Sequence, residues 1–294
     1  MKTETLGAID IGSNAVRLLI SNVEANVAYP DFRKTAFLRV PIRLGEDVFT
    51  TGKIGSTKIK QLSDAMETLS QVMKMYNVSR YRACATCAMR EADNGKEIID
   101  LIYKKSNINI EIISGQEEAD VIFEAGKLNA IMTQKSNYLY VDVGGGSTEV
   151  VVYVNQQKVD SNSFPLGTVR MLSNAIKKDE IEHFEKWLEM IYKKYESLNI
   201  IGSGGNINKI HKIFGKRDGE VIVYPELQIL YNTLSTMTCE QRMRSYNMET
   251  YRADVIIPAL EIFLMICNTC FIRNIYVPKV GVVDGILRNL YYKL

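Results

Sequence analysis

Histidine is nearly absent from this chain, with only His183 and His211 among 294 residues. That scarcity leaves acid–base chemistry to carboxylates. Long apolar runs are missing too. The opening stretch MKTETLGAIDIGSNAVRLLI is broken by Asp10, Asn14 and Arg17, so it does not read as a secretion signal. The most apolar later stretch, ADVIIPALEIFLMIC (253–267), carries Asp254, Pro258 and Glu261 and is too short to cross a bilayer. A buried helix, a cytoplasmic location and no membrane partner are the expectations. Charge of one sign is also lacking: 36 basic against 34 acidic side chains leave a net +2, which excludes a globally basic nucleic-acid coat. The five cysteines include two CxxC pairs, Cys84/Cys87 and Cys267/Cys270. One pair sits near a strand end and the other late in an apolar helix, which favours free buried thiols over zinc or a disulfide.

What is present alternates between strand and helix patterns over a length that suits about two domains. AIDIGS and AVRLLISNVE read as a hairpin around a glycine turn. STKIKQLSDAMETLSQVMKMY places Ile59, Leu62, Met66, Leu69, Met73 and Tyr76 on one helical stripe. Strands are expected at RYRACAT, INIEII, NYLYVDV, TEVVVYV, KVDSNSFPL, NIIGSG and RNIYVP. Helices are expected near 95–105, from Gln116 to about Ala130, and over 169–176, 179–195, 205–214, 225–236, 252–267 and 283–293. The fold class is α/β.

An internal repeat organises these elements. AIDIGSNAVRLLI laid over YVDVGGGSTEVVV aligns Asp10 with Asp142 and Gly12 with Gly144. Farther along, PIRLGEDV and FPLGTVRM each supply a Leu-Gly pair, Leu44-Gly45 and Leu166-Gly167. The chain reads as a duplicated unit: strand, acidic glycine turn, strand, third strand ending in a Leu-Gly turn. Two such units are expected to form two lobes around a central cleft.

Each turn follows a strand-end carboxylate with backbone free of bulk, and amides exposed in a tight turn converge on anions. In the first copy the candidates are Gly12, Ser13 and Asn14; in the second, Gly144, Gly145, Gly146, Ser147 and Thr148. Asp10 and Asp142 are placed to hold a hard divalent cation that bridges to phosphate oxygens. The plain alternative is a pair of tight hairpins. IIGSGGNINKI (200–210) adds a strand, turn and helix start, with Gly204, Gly205 and Asn206 as further anion-binding candidates.

These segments resemble the Ppx/GppA family of exopolyphosphatases and guanosine pentaphosphate phosphohydrolases, within the actin / sugar kinase / Hsp70 superfold. The resemblance rests on AIDIGSNAVRLLI, IRLGEDV, ATCAMREADN, IISGQEEA, VDVGGGSTEV, FPLGTVRM and IGSGGNINKI in that order, extended by YRADVIIPAL and VGVVDGIL. It implies duplicated ribonuclease H-like (actin-like ATPase) domains, with a first lobe at 1–116 completed by 281–294 and a second at 117–280. It implies a Mg²⁺-dependent release of terminal phosphate from polyphosphate or of the 5′ phosphate of guanosine pentaphosphate, with guanosine tetraphosphate as a further ligand. Glu118 is the implied catalytic base, and Asp142 and Glu149 are implied to position the metal or the attacking water, with Asp10 in the matching part of the first turn. Arg43 and Arg90 sit where the family places basic residues along the phosphate channel, and Arg17 is a third candidate. A homodimer is compatible with the sequence. An ATP-dependent small-molecule kinase and a non-hydrolytic alarmone-binding regulator share the same turns. Departures from the family pattern are Asp120 in place of Arg, Cys87 in ATCA, and VVDG, with Val283 and Asp284, in place of the frequent LREG. The added carboxylates are expected to weaken the grip on long polyanions.

Overall fold

A computed structural model describes residues 3–24, 30–123, 132, 136–195 and 197–292. The chain divides into two compact units, residues 1–125 with 282–294, and residues 126–281. The first unit opens with β1 (Thr3–Ile11), β2 (Val16–Glu24) and β3 (Phe32–Val40), followed by α1 (Leu44–Thr51) and α2 (Ser56–Met75). It continues through β4 (Arg80–Ala85), α3 (Cys87–Glu91), α4 (Gly95–Ser106), β5 (Ile110–Ile112) and α5 (Gly115–Phe123). The second unit runs β6 (Asn137–Val143), β7 (Thr148–Val154), β8 (Gln157–Phe164), α6 (Thr168–Leu172), α7 (Lys178–Lys194), β9 (Leu198–Ser203) and α8 (Gly205–Ile213). Then come β10 (Ile222–Val223), α9 (Tyr224–Ser235), α10 (Cys239–Tyr246), α11 (Thr250–Ala253), α12 (Ile256–Thr269) and β11 (Asn274–Tyr276). The last helix, α13 (Val282–Tyr292), belongs to the first unit and packs on β1 and α5.

The two sheets repeat one topology. Their strand orders are β3-β2-β1-β4-β5 and β8-β7-β6-β9-β11-β10. In each, a three-stranded antiparallel meander meets two further strands that run parallel to its first member, β4 and β5 in one sheet and β9 and β11 in the other, where β10 adds an antiparallel edge. This is the duplicated ribonuclease H-like fold. Parallel neighbours need a long crossover, and helices supply every one of them. Central strands are covered on both faces, so β1 is buried from Leu6 to Ile11 and reads as a continuous apolar run. The edge strand β3 instead exposes Arg33, Lys34 and Thr35, which blunts the edge against pairing with another chain.

Helix cores follow the sequence stripes. On α2, Leu62, Met66, Leu69 and Met73 are buried. Tyr76 does not join them: it caps the helix and is exposed, because Asn77 adopts a left-handed φ of 53° and turns the chain away. The 253–267 stretch lies in the core of the second unit, where α12 buries Ile256, Ala259, Leu260, Ile262, Phe263 and Ile266. Pro258 is accommodated in its first turn, where no intrahelical donor is lost. No helix among the described residues is long and apolar enough to cross a membrane. The helix expected over Gln116–Ala130 is α5 as far as Phe123; residues 124–130 and residue 293 lie outside the described residues.

All five cysteines carry free thiols, and four of them, Cys84, Cys87, Cys267 and Cys270, are buried. Burial pushes the Cys84, Cys267 and Cys270 thiols up to about 12, so no reactive thiolate forms near neutrality. A disulfide-exchange reagent at pH 7.5 should therefore titrate one thiol quickly, Cys239, and the other four only after guanidinium unfolding. Rapid native labelling at a second site would contradict this packing.

Candidate active site

The second unit holds the more elaborate turn. β6 and β7 pair through Val143 and Thr148, and Gly144 N–H donates to Ser147 O across the bend at 2.9 Å. The start of α6 docks on this ribbon. Thr168 N–H donates to Gly144 O at 3.0 Å, Val169 N–H to Gly145 O at 2.8 Å, and Arg170 Nε to Gly146 O at 2.8 Å. A trans peptide points its C=O and the following N–H in opposite directions. Three carbonyls held against α6 therefore turn the amides of Gly145, Gly146 and Ser147 to the other side. Those amides donate to no group among the described residues. An array of this kind is a ready anion site.

Gly167 permits the docking. Its φ of −135° is ordinary, but a Cβ there would lie 2.4 Å from Gly146 C and 2.5 Å from Gly145 O. The first unit makes the same device more loosely. Gly12 N–H closes its bend on Ala15 O at 3.1 Å, Gly45 N–H donates to Ser13 O at 2.9 Å, and Arg43 N–H donates to Asn14 O at 3.1 Å. The Leu-Gly pairs read as turns in the sequence are in fact helix starts: Leu44 opens α1, and Gly167 caps α6.

The carboxylates of the two copies meet different cross-strand partners. Asp10 lies opposite Arg17 and is ion-paired with it. Asp142 lies opposite Glu149, so two carboxylates share one face of the hairpin. Like charges directly opposed across strands are unfavourable unless a cation or proton is shared. Glu149, 1% exposed, accepts from Ser147 Oγ at 2.6 Å and from Ser163 Oγ at 2.9 Å. Asp142 faces the loop after β9. There Gly204 adopts a φ of 94°, and a Cβ on it would meet Asp142 Oδ1 at 2.6 Å. The next amide, Gly205, starts α8 beneath the Arg252 guanidinium, which donates to Asn206 Oδ1.

Within unit two the fold thus gathers Asp142, Glu149, the 144–148 turn and Gly204–Asn206 into one constellation. Hard oxygen donors of this kind suit Mg²⁺, which takes one or two carboxylates and completes its shell with water and phosphate. No group of three or more potential ligands occurs among the described residues. Asp10 suits the metal less well, because Arg17 already balances its charge.

The remaining candidates lie in unit one. Glu118 sits in the first turn of α5, 8% exposed, with its N–H on Ser114 O at 2.9 Å. Arg43 adopts a left-handed φ of 61° and pairs with Glu46 at 2.5 Å; Lys58 Nζ donates to its carbonyl. Arg90 donates to Ile113 O at 2.7 Å, bracing the segment that leads into α5. Asp284 pairs with Lys34 at 2.6 Å, so its charge is answered inside the unit, and Asp120 is exposed. Sequence reasoning missed Arg170, which braces the glycine ribbon, and Arg252. Both lie inside quoted segments, FPLGTVRM and YRADVIIPAL, but no periodicity links residue 252 to residue 205.

A model of the Ppx/GppA phosphatase family matches residues 32–293. A guanosine-5′-triphosphate,3′-diphosphate pyrophosphatase of Aeromonas hydrophila is 24% identical over 96% of this chain and 59% of its own length. Exopolyphosphatase 2 of Mycobacterium tuberculosis is 28% identical over 61% of this chain and 57% of its own. The chain thus spans under two thirds of the length of these relatives. Among solved structures, an exopolyphosphatase from Cytophaga hutchinsonii superposes with a TM-score of 0.85 at 22% identity, covering 98% of each chain. A Ppx/GppA family member from Aquifex aeolicus gives 0.76 at 23% identity, over 98% of this chain and 97% of its own.

Gly167→Ala should be costly, because its Cβ meets backbone that has nowhere to go. A loss of about 1–3 kcal/mol or more is expected from overpacking of this kind. It should appear as a lower denaturant midpoint at unchanged m-value. A midpoint equal to wild type would show that α6 does not rest on the glycine ribbon.

Proposed function

Because the chain belongs to the Ppx/GppA phosphatase family, we propose that it is a phosphohydrolase. In this reading it releases terminal orthophosphate from inorganic polyphosphate, or the 5′ phosphate of guanosine pentaphosphate. The observation that carries the reading is the twice-built acidic hairpin, with carbonyls tied to a helix start and amides turned outward. A binding module for an uncharged ligand has no use for it. The names of the relatives, a guanosine-5′-triphosphate,3′-diphosphate pyrophosphatase and an exopolyphosphatase, support the same substrate classes.

Glu118 orients a water and accepts its proton as the water oxygen bonds to the terminal phosphorus. The bridging P–O bond breaks, and the shortened chain departs with the bonding electrons. The amides at 145–147, with those of the Gly12–Asn14 turn, stabilise charge on the equatorial oxygens of the transferred group. Arg17, Arg43 and Arg90 bear on the remaining phosphates, as does Arg252 beside the Gly204–Asn206 loop. Asp142 and Glu149 would hold Mg²⁺, which when bound offsets the negative charge of substrate oxygens.

Phosphate release from tripolyphosphate, long-chain polyphosphate, guanosine pentaphosphate and ATP, each with Mg²⁺ or with chelator, tests this directly. Release from polyphosphate or guanosine pentaphosphate, lost on chelation and in Glu118→Gln, is expected. Tight binding of these compounds without release would point to a regulator instead, and phosphate transfer only to an added acceptor would point to a kinase. Near-wild-type turnover of Glu118→Gln would remove the base assignment.

A thermal measurement isolates the metal. Mg²⁺ should raise the melting temperature of the wild-type chain, because binding to the folded state alone stabilises it. Glu149→Gln should lose most of that rise. An equal rise in both proteins would place the metal elsewhere.

A further inference from the structure

We infer that Arg82 and Glu117 act as a positioning clamp for Glu118, an assignment that rests on the base role proposed above. Arg82, on β4, is well covered, with a side chain 12% exposed. Its guanidinium ties three elements of the first unit together. Nη2 donates to Glu111 Oε2 on β5 and to Glu117 Oε1 on α5, both at 2.8 Å, while Nη1 donates to Asn289 Oδ1 on α13 at 3.0 Å. Nε adds a second bond to Glu111 at 3.0 Å. The planar fork of arginine suits such a junction, and a lysine has no equivalent geometry.

The contact matters because of where it falls on α5. Successive helical residues are separated by about 100° around the axis, so fixing Glu117 also fixes the direction of Glu118. One turn later the helix is held again. A Cβ at Gly285 of α13 would come within 1.9 Å of Val121 O, so α13 and α5 touch backbone to backbone there. Glu118 lies between these two tethers, and the Ser114 cap fixes the helix start, with Glu117 N–H on Ser114 Oγ at 3.0 Å. The Gly285 seat limits sliding, and the Arg82–Glu117 pair limits rotation. A surface ion pair would count for little; this one acts through the aim of its neighbour.

Partial exposure makes the test clean. The Glu117 and Glu111 side chains are 43% and 49% exposed, so neither Glu117→Gln nor Glu111→Gln should disturb folding. Steady-state phosphate release from guanosine pentaphosphate and tripolyphosphate is measured for both variants and for Arg82→Met, Arg82→Met/Glu117→Gln and Glu118→Gln. Melting temperatures are recorded alongside. Misaiming a reacting group costs turnover out of proportion to binding. Glu117→Gln should therefore lower kcat about tenfold or more, with KM within about twofold and little change in melting temperature. Glu111→Gln, which severs the other arm of Arg82, should keep kcat within about twofold. If Arg82→Met folds, adding Glu117→Gln to it should lower kcat no further, since the two act as one unit. Wild-type kcat in Glu117→Gln, equal losses in Glu111→Gln and Glu117→Gln, or additive losses in the double variant would overturn the clamp. Should Arg82→Met fail to fold, the Glu117/Glu111 comparison decides alone. An active Glu118→Gln would instead sink the base assignment and the clamp with it, as would a wild-type chain that releases no phosphate. An inactive Glu118→Gln beside a fully active Glu117→Gln would sink the clamp only.

Discussion

The arrangement depends on helix-start amides docking onto the carbonyl side of a glycine hairpin. In the second unit α6 takes three consecutive carbonyls, from Gly144, Gly145 and Gly146, with three backbone amides and the Arg170 guanidinium. Peptide planarity does the rest. A carbonyl drawn one way aims the next amide the other way, and the ribbon becomes a row of donors without any charged side chain in it. The close approach is possible only because neither the ribbon nor Gly167 carries a Cβ. The need for glycine here is steric at Gly167, whose φ is one any residue adopts, and conformational at Gly204, whose φ is not.

Duplication of this device with a change of partner charge gives the units different electrostatic characters. Asp10 and Arg17 cancel, so the first hairpin presents its amides over a neutral pair. Asp142 and Glu149 add, and the second hairpin presents amides beside two negative groups. Anions are welcome at the first without help. At the second, an anion and a cation bound together would stabilise one another, which is the electrostatic logic of metal-assisted phosphate chemistry. The serines reinforce the difference: Ser147 and Ser163 both donate to the buried Glu149, whose counterpart in the first hairpin is Arg17.

Much of this was legible in the sequence because the constraints act locally or by strict repetition. Asp-x-Gly at a strand end and Leu-Gly after a third strand recur in both copies, and in the second copy backbone lies too close to Gly144 and Gly167 for a side chain. The near-continuous apolar runs that predict β1, β2, β6 and β7 follow from burial on both faces. What escaped has equally physical causes. Helices as short as α1, α3, α10 and α11 complete too few turns to show a period. The tertiary partners Arg170 and Arg252 are set by which loops the crossovers bring together. The 205–252 and 82–117 contacts each join elements whose spacing in sequence carries no signal. The 82–289 contact spans an entire unit's worth of intervening chain.

The family departures make the same point from the opposite direction. Judged by charge alone, Asp284 looks like a carboxylate left without the neighbouring arginine of the family pattern, which Val283 replaces. In the fold it sits in the first turn of α13, where a negative group opposes the helix dipole favourably. It also pairs with Lys34, which projects from the edge strand β3. Its charge is therefore answered by two local interactions. Gly285, the next residue, cannot vary so freely, because α5 rests on its bare backbone. Tolerance along this segment thus follows available space more closely than formal charge. A charge can find a counter-ion on a neighbouring strand, whereas a methyl group between two backbones has no such remedy.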